Sequence, residues 1–312
     1  QGDWQSCEVI FPSKLFGSAL YAVLHAPANI DLAHDKLPVV VIAPGSISGV
    51  QSQYQWSARE LAANGYITLV IDPQGVGNSE LVSYPQTADN YIDAVVSGLD
   101  FIESDANPLR ANVDTAHMGA AGHSLSASGL SWLQAEDLRL QAIVAWDNLA
   151  ENATGAAEGG QLVGGEIPSV TPLRPVRPRV PAMGQANSDG QATNPDDRKK
   201  GYELWHQAGV SSMLISFLGK GHLDWAQGQA ASADSSSDKS KEMRLFEYYT
   251  RAWFDLWLKN DRSALGRLTA SQVFDQTSTE IFSPTYHSAL YLPALGIDCP
   301  DIASGSCTAF QH

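Results

Sequence analysis

The sequence predicts an α/β fold: a mostly parallel central sheet with helices on both faces. Two observations carry this. Short apolar runs alternate with segments of helical spacing, the pattern of a βαβ series. One of those runs, Leu37–Ala43 (LPVVVIA), is apolar at odd and even positions alike, as a strand covered from each side must be. Composition agrees, since 44% hydrophobic and 17% charged residues can build a large core and do not suit a disordered or fibrous chain.

In chain order, Ser18–His25 alternates loosely between apolar and polar residues and reads as a strand near a sheet edge, and Leu37–Ala43 is the central strand. Tyr54–Asn64 (YQWSARELAAN) has helical spacing and stops at Gly65, a natural C′ residue. Ile67–Ile71 returns to strand, and Thr87–Ser104 gives a longer amphipathic helix with Thr87 as N-cap. Further strands are expected at Ala116–Ala121, Ala142–Trp146, Val180–Met183 and Met213–Leu218. Further helices are expected after Ser124, near Lys199–Gln207 and over Lys241–Lys259. Asn148–Arg179, rich in Gly, Pro and Ala, is too long for an ordinary connection and reads as disordered or as a functional cover. Ala230–Ser240 reads as a polar surface loop. The expected organisation is one domain over 1–312, with a core of about 35–260, a loop 148–179 inserted over the site and a C-terminal extension 261–312.

Charge excludes other classes. Nineteen Lys and Arg against 34 Asp and Glu leave a net charge of −15, which gives little from which to build a phosphate-binding face, so no nucleic-acid partner is expected. The longest apolar run, Leu37–Ala43, falls far short of the roughly 20 residues that span a bilayer, and no membrane insertion is expected. The chain starts at Gln1 without a basic-then-apolar leader, as a mature secreted form would. Cys299 and Cys307 could staple the C-terminal tail, a loop closure worth ~2–3 kcal/mol in the chain-entropy account. Cys7 is then either a buried thiol or a partner for one of the other two.

Chemistry concentrates in Gly122-His123-Ser124-Leu125-Ser126, which follows an apolar run and opens a helical one. That is the context of a nucleophile elbow, where small flanking residues allow a tight turn that projects the serine hydroxyl; a plain helix N-cap serine is the ordinary alternative. Ser126 stands where Gly is usual. A hydroxyl becomes a nucleophile only beside a positioned base, and the base needs a carboxylate to fix its tautomer, in the chain order Ser, acid, His. Four histidines follow Ser124. His222 sits in a Gly-Lys-Gly-His loop after a strand and is the expected base, whereas His206 lies in a helical pattern and His287 and His312 read as structural or incidental. Two acids lie after strands, Asp147 and Asp189; Asp147 directly follows the apolar run Ala142–Trp146, where an ionised group needs a partner. The oxyanion donors are expected to be the amides of Leu125 and, from Pro44–Gly49, of Ser46. Trp146 and Trp225 are expected to wall the substrate site or else to be plain core. Asp72–Ser79 (DPQGVGNS) lacks the spaced glycines and lysine of a phosphate loop, no metal-ligand spacing is evident, and no cofactor or metal is expected.

On these residues the chain resembles the α/β-hydrolases over roughly 35–260. The elbow matches, and Asp72–Ser79 is similar to that superfamily's Asp-x-Arg-Gly-x-Gly-x-Ser turn, with Gln74 at the arginine position. Pro44-Gly45-Ser46 resembles the oxyanion loop of the cutinase-like polyester hydrolases, which carry an aromatic at the place of Ser46, and the C-terminal Cys pair is similar to that of secreted members. Ala145-Trp146-Asp147 resembles the acid-bearing strand end of the platelet-activating-factor acetylhydrolases; the cutinase-like enzymes imply Asp189 instead. The two resemblances together favour Asp147 and leave Asp189 open. They imply a serine esterase with a Ser124–Asp147–His222 triad, acting on small or polymeric esters; secretion and a monomeric state are expected beside it. Lipase, polyester hydrolase and phospholipid acetylhydrolase are the variants, and a catalytically silent binding module is the alternative from another class.

Overall fold

Eleven strands form one sheet in the structure, a computed structural model that describes residues 3–46, 49–82, 88–153, 161–162, 165–166, 174–187, 195–217, 220–226, 237–270, 288–302 and 307–309. The first half comprises β1 (Trp4–Pro12), β2 (Ala19–Pro27), β3 (Leu37–Ala43), α1 (Gln55–Ala63), β4 (Ile67–Ile71), α2 (Ala88–Glu103), β5 (Val113–His123), α3 (Leu125–Glu136) and β6 (Leu140–Trp146). Four two-residue strands follow: β7 (Asn152–Ala153), β8 (Gln161–Leu162), β9 (Gly165–Glu166) and β10 (Arg174–Pro175). The rest is β11 (Ala182–Asn187), α4 (Pro195–Gln207), β12 (Ser212–Phe217), α5 (Ser237–Leu258), α6 (Ala264–Leu268), β13 (Ala289–Leu292), β14 (Ile297–Cys299) and β15 (Thr308–Ala309).

The sheet order is β1-β2-β4-β3-β5-β6-β11-β12-β13-β14-β15, and the pairs from β4 through β12 are parallel. Antiparallel strands flank this block, β1 and β2 on one side and β13 to β15 on the other. The double-sided apolar pattern of β3 sorts its side chains onto two cores. Val40 and Ile42 join Ala58 and Leu61 of α1 and Phe246 and Tyr249 of α5. Val39 and Val41 join Val95 and Leu99 of α2 and Leu130 of α3. From β3 the chain steps to β4 on one side and then to β5 on the other, so the crevice at the carboxyl ends of β3 and β5 is the switch point where such sheets build sites.

The sheet extends beyond the expected core of 35–260 at both ends. β1 escaped the sequence reading because nearly all of it is exposed or half-exposed at the sheet edge, with Phe11 and no other residue fully buried. The strand expected at Val180–Met183 runs on to Asn187 because its polar Gln185 is buried and hydrogen-bonded, to the Phe246 carbonyl (3.2 Å) and Thr250 Oγ1 (2.9 Å). α5 begins at Ser237, inside the stretch read as a polar loop; 230–236 lies outside the described residues, as does Thr87. Of the expected cover 148–179, the described parts pack on α2 and α3: Arg174 pairs with Asp89 and lies over Trp132, and Gln134 donates to the Arg177 carbonyl. The middle of that segment, 154–160, 163–164 and 167–173, is outside the described residues. Cys299 and Cys307 are disulfide-bonded, whereas Cys7 is free and exposed on the edge strand, so neither a buried nor a paired Cys7 holds.

One carboxylate is held at a cost. Burial, and then the neighbouring Glu60, push Glu247 on α5 up to about 7 against the pull of Arg244 and Arg251. A raised folded-state value means that its contribution to stability is full below the unfolded carboxylate range and is lost as pH rises through about 7. Glu247→Gln, which mimics the protonated acid, is therefore expected to match the parent's Tm at pH 5 and to exceed it by several degrees at pH 8. An equal difference at both pH values would contradict this.

Candidate active site

Ser124 sits where β5 turns into α3, with φ 53° and ψ −114°, a region that costs of order 1–3 kcal/mol for a non-glycine residue and persists only when its surroundings hold it. The Ser124 amide donates to the Trp146 carbonyl on β6 (3.0 Å), which fixes the turn to the neighbouring strand. Gly122 is required here, because a Cβ would fall 2.8 Å from Ser126 Cβ. The departure at Ser126 has its reason: the hydroxyl donates to the Pro44 carbonyl (2.5 Å) and ties the elbow to the loop after β3.

His222, in the loop after β12, places Nε2 2.9 Å from Ser124 Oγ and Nδ1 in hydrogen-bond contact with Asp147 Oδ2. The carboxylate makes Nδ1 the protonated nitrogen, leaving the Nε2 lone pair for the serine hydroxyl proton. Asp147 follows β6 at φ 58°, its side chain almost fully buried, while the His222 side chain is half-exposed. The Asp147 amide donates to the Gln185 carbonyl (2.8 Å), and its Oδ1 faces the Asn187 amide (3.4 Å). Asp189 lies outside the described residues. Of the other histidines, His206 lies on α4, 3.3 Å from Asp298, and His287 and His312 are outside the described residues. Asp224 accepts the Gly221 amide (2.8 Å) and closes the His222 loop as a cap.

The loop after β3 lies against the elbow. A Cβ on Gly45 would stand 3.3 Å from Ser124 Cβ and 2.7 Å from His123 Nδ1, so only glycine permits this approach. The Gly45 amide donates to the Tyr54 hydroxyl (3.1 Å), and Ser46 is the next residue of the same loop. Leu125 opens α3, so its amide belongs to the first turn, whose donors have no partner within the helix. Asp72 holds the base of the loop: Oδ1 accepts the Gln51 amide (2.7 Å) and Oδ2 the Asn78 amide (3.0 Å), while Gln74 accepts from Val82 (2.8 Å) in place of the expected arginine.

Trp146 and Trp225 do not wall the site. Neither has exposed surface; the Trp146 indole N–H donates to Thr250 Oγ1 (3.2 Å) and that of Trp225 to Gln185 Oε1 (3.0 Å). Both rings are buried, and each indole nitrogen bonds a buried acceptor. The Trp225 carbonyl accepts from Trp56 Nε1 (3.0 Å), a second anchor for the His222 loop. Leu223, beside His222, is by contrast 59% exposed. Sequence reasoning assigned no role of their own to Tyr54, Trp56, His123 or Gln185: Tyr54 and Trp56 read as part of a helical run, His123 as a position in the elbow, and Gln185 as a polar residue beyond the strand expected at Val180–Met183. Among the described residues no three His, Cys, Asp or Glu side chains form a cluster able to hold a metal, and no helix is long and apolar enough to cross a membrane.

The sequence model of a family described as PETase, PET hydrolase-like, matches residues 19–176, half of the chain. The matched segment runs from β2 to β10 and contains Ser46, Ser124 and Asp147. No curated protein matches the chain.

Proposed function

Because the chain belongs to the PET hydrolase-like family, and is thus an α/β-hydrolase acting on esters, we propose that it cleaves carboxylic esters through an acyl-enzyme on Ser124. His222 takes the Ser124 proton as the hydroxyl attacks the acyl carbon, and Asp147 holds the imidazole in its Nδ1–H tautomer and stabilises the imidazolium. The amides of Ser46 and Leu125 receive the oxyanion, where one lost donor typically costs about 3–4 kcal/mol of transition-state stabilisation. His222 then protonates the leaving alcohol, and a water activated by the same nitrogen releases the acid. The observation that carries this reading is the position of His222, one nitrogen 2.9 Å from Ser124 and the other on a buried carboxylate.

The substrate is a neutral ester, in keeping with a net charge of −15. Ser46 replaces the aromatic of the cutinase-like loop, and Trp146 and Trp225 offer no ring surface, which favours small or aliphatic acyl groups over aromatic polymer units. Exposed Leu223 supplies an apolar rim. The protein acts as a secreted monomer, one domain over 1–312, the disulfide being in keeping with an oxidising compartment. Purified protein is expected to hydrolyse p-nitrophenyl butyrate faster than the palmitate and faster than a polyester film. Preference for the film would overturn the substrate reading, and no turnover of any ester would leave a silent binding module.

A further inference from the structure

We propose that His123 and Tyr54 are positioning residues, forming one neutral hydrogen-bond relay that locks the oxyanion loop and the loop of His222 to the nucleophile elbow. The proposal rests on the reading of Ser124 and His222 given above and deepens it.

Three parts of the chain distant in sequence meet in this relay: the stretch from Gly45 to Tyr54, His123 and His222. The Gly45 amide lies 3.1 Å from the Tyr54 hydroxyl, that hydroxyl 2.7 Å from His123 Nδ1, and His123 Nε2 2.7 Å from the backbone carbonyl of His222. The direction of every bond follows from the ends. An amide can only donate and a carbonyl can only accept. His123 Nε2 therefore carries a proton toward His222, and the Tyr54 oxygen receives the Gly45 N–H. With the imidazole neutral, Nδ1 is an acceptor, and the Tyr54 hydroxyl proton goes there. Each group is used once, in one sense.

A protonated His123 would break the sequence, because Nδ1–H would face a hydroxyl whose proton has no acceptor in the relay. Burial, and then the charge of His222, lower His123 to about 4, and burial raises Tyr54 well above the tyrosine range. His123 is 1% exposed and Tyr54 not at all, so water cannot substitute for a lost partner. The base itself is half-exposed, in a loop that must still place Nε2 within reach of Ser124. Anchoring that loop through the backbone of the base, beside a ring contact in which the His123 and His222 centroids lie 4.8 Å apart, fixes its position. Ser126 completes the arrangement from the other side of the nucleophile by holding the Pro44 carbonyl. The two neighbours of the Ser124–Leu125 pair thus hold both loops that the reaction needs.

Since neither side chain reaches the acyl group, the relay predicts a loss in kcat rather than in KM. Tyr54→Phe is expected to lower kcat on a short ester by about tenfold and His123→Leu by up to about a hundredfold, with KM within about twofold, the scale of a misplaced reacting group. His123→Gln, whose amide N–H can still donate to the His222 carbonyl, is expected to recover much of the loss; a merely space-filling role would rank Leu and Gln alike. Unchanged kcat in folded Tyr54→Phe and His123→Leu, or a Gln variant no better than Leu, would overturn the relay. Should the variants fail to fold, nitrogen NMR of the unaltered protein at pH 7 decides: neutral Nε2–H at His123 supports the relay, and the Nδ1–H or charged form overturns it. Fluorophosphonate labelling separates the two readings. No adduct on Ser124 of the parent removes the hydrolase reading, whereas labelling with unaltered variant kinetics removes the relay alone.

Discussion

Replacing His222 with alanine is expected to lower kcat for a short ester by on the order of 10⁴–10⁶-fold while leaving the fold intact. The fold survives because the side chain is half-exposed and its loop is held by other contacts, the bonds of Trp225 to Trp56 and Gln185 and that of Gly221 to Asp224. Activity does not, because no other imidazole among the described residues stands within hydrogen-bond reach of Ser124 Oγ, and an unassisted hydroxyl is a poor nucleophile near neutral pH. A loss below about a hundredfold, in protein with the parent's circular dichroism, would mean that another group takes the proton.

Asp147→Asn carries the second large effect, about 10⁴-fold in kcat. The substitution keeps shape and backbone contacts but can present an amide N–H to His222 Nδ1, which favours the tautomer whose Nε2 is protonated and cannot accept from Ser124. Asp147 is nearly buried at the end of β6 and in contact with His222, so the consequence should be local. The control is Asp189→Asn, expected to change kcat by no more than about twofold. Loss of turnover in the Asp189 variant with Asp147→Asn active would reverse the assignment.

Much of the sheet was legible because buried parallel strands announce themselves: β3, β4 and β6 are runs of apolar residues with no polar alternation. The edges were not. β1 is almost wholly exposed, and β14 and β15 are two or three residues long, too short for a pattern. At the candidate site, Ser124 stood out because a tight turn constrains its neighbours to small residues, and His222 because a Gly-rich loop after a strand is where a base can be held. The acid was harder, since Asp147 and Asp189 both follow strands in the sequence; Asp147 contacts the His222 imidazole, and Asp189 lies outside the described residues. Trp146 and Trp225 misled, because a large aromatic near a site looks the same in sequence whether it faces the ligand or the core. Tyr54 carried no signal, and His123 none beyond its place in the elbow beside Ser124; 69 positions separate the two.

Covalent labelling of the native protein with a fluorophosphonate, followed by peptide mass spectrometry, tests the central claim most directly. One adduct at Ser124, formed at a rate that collapses in His222→Ala, is the predicted result. Native protein that carries no adduct at Ser124 under conditions that label a control esterase would contradict it.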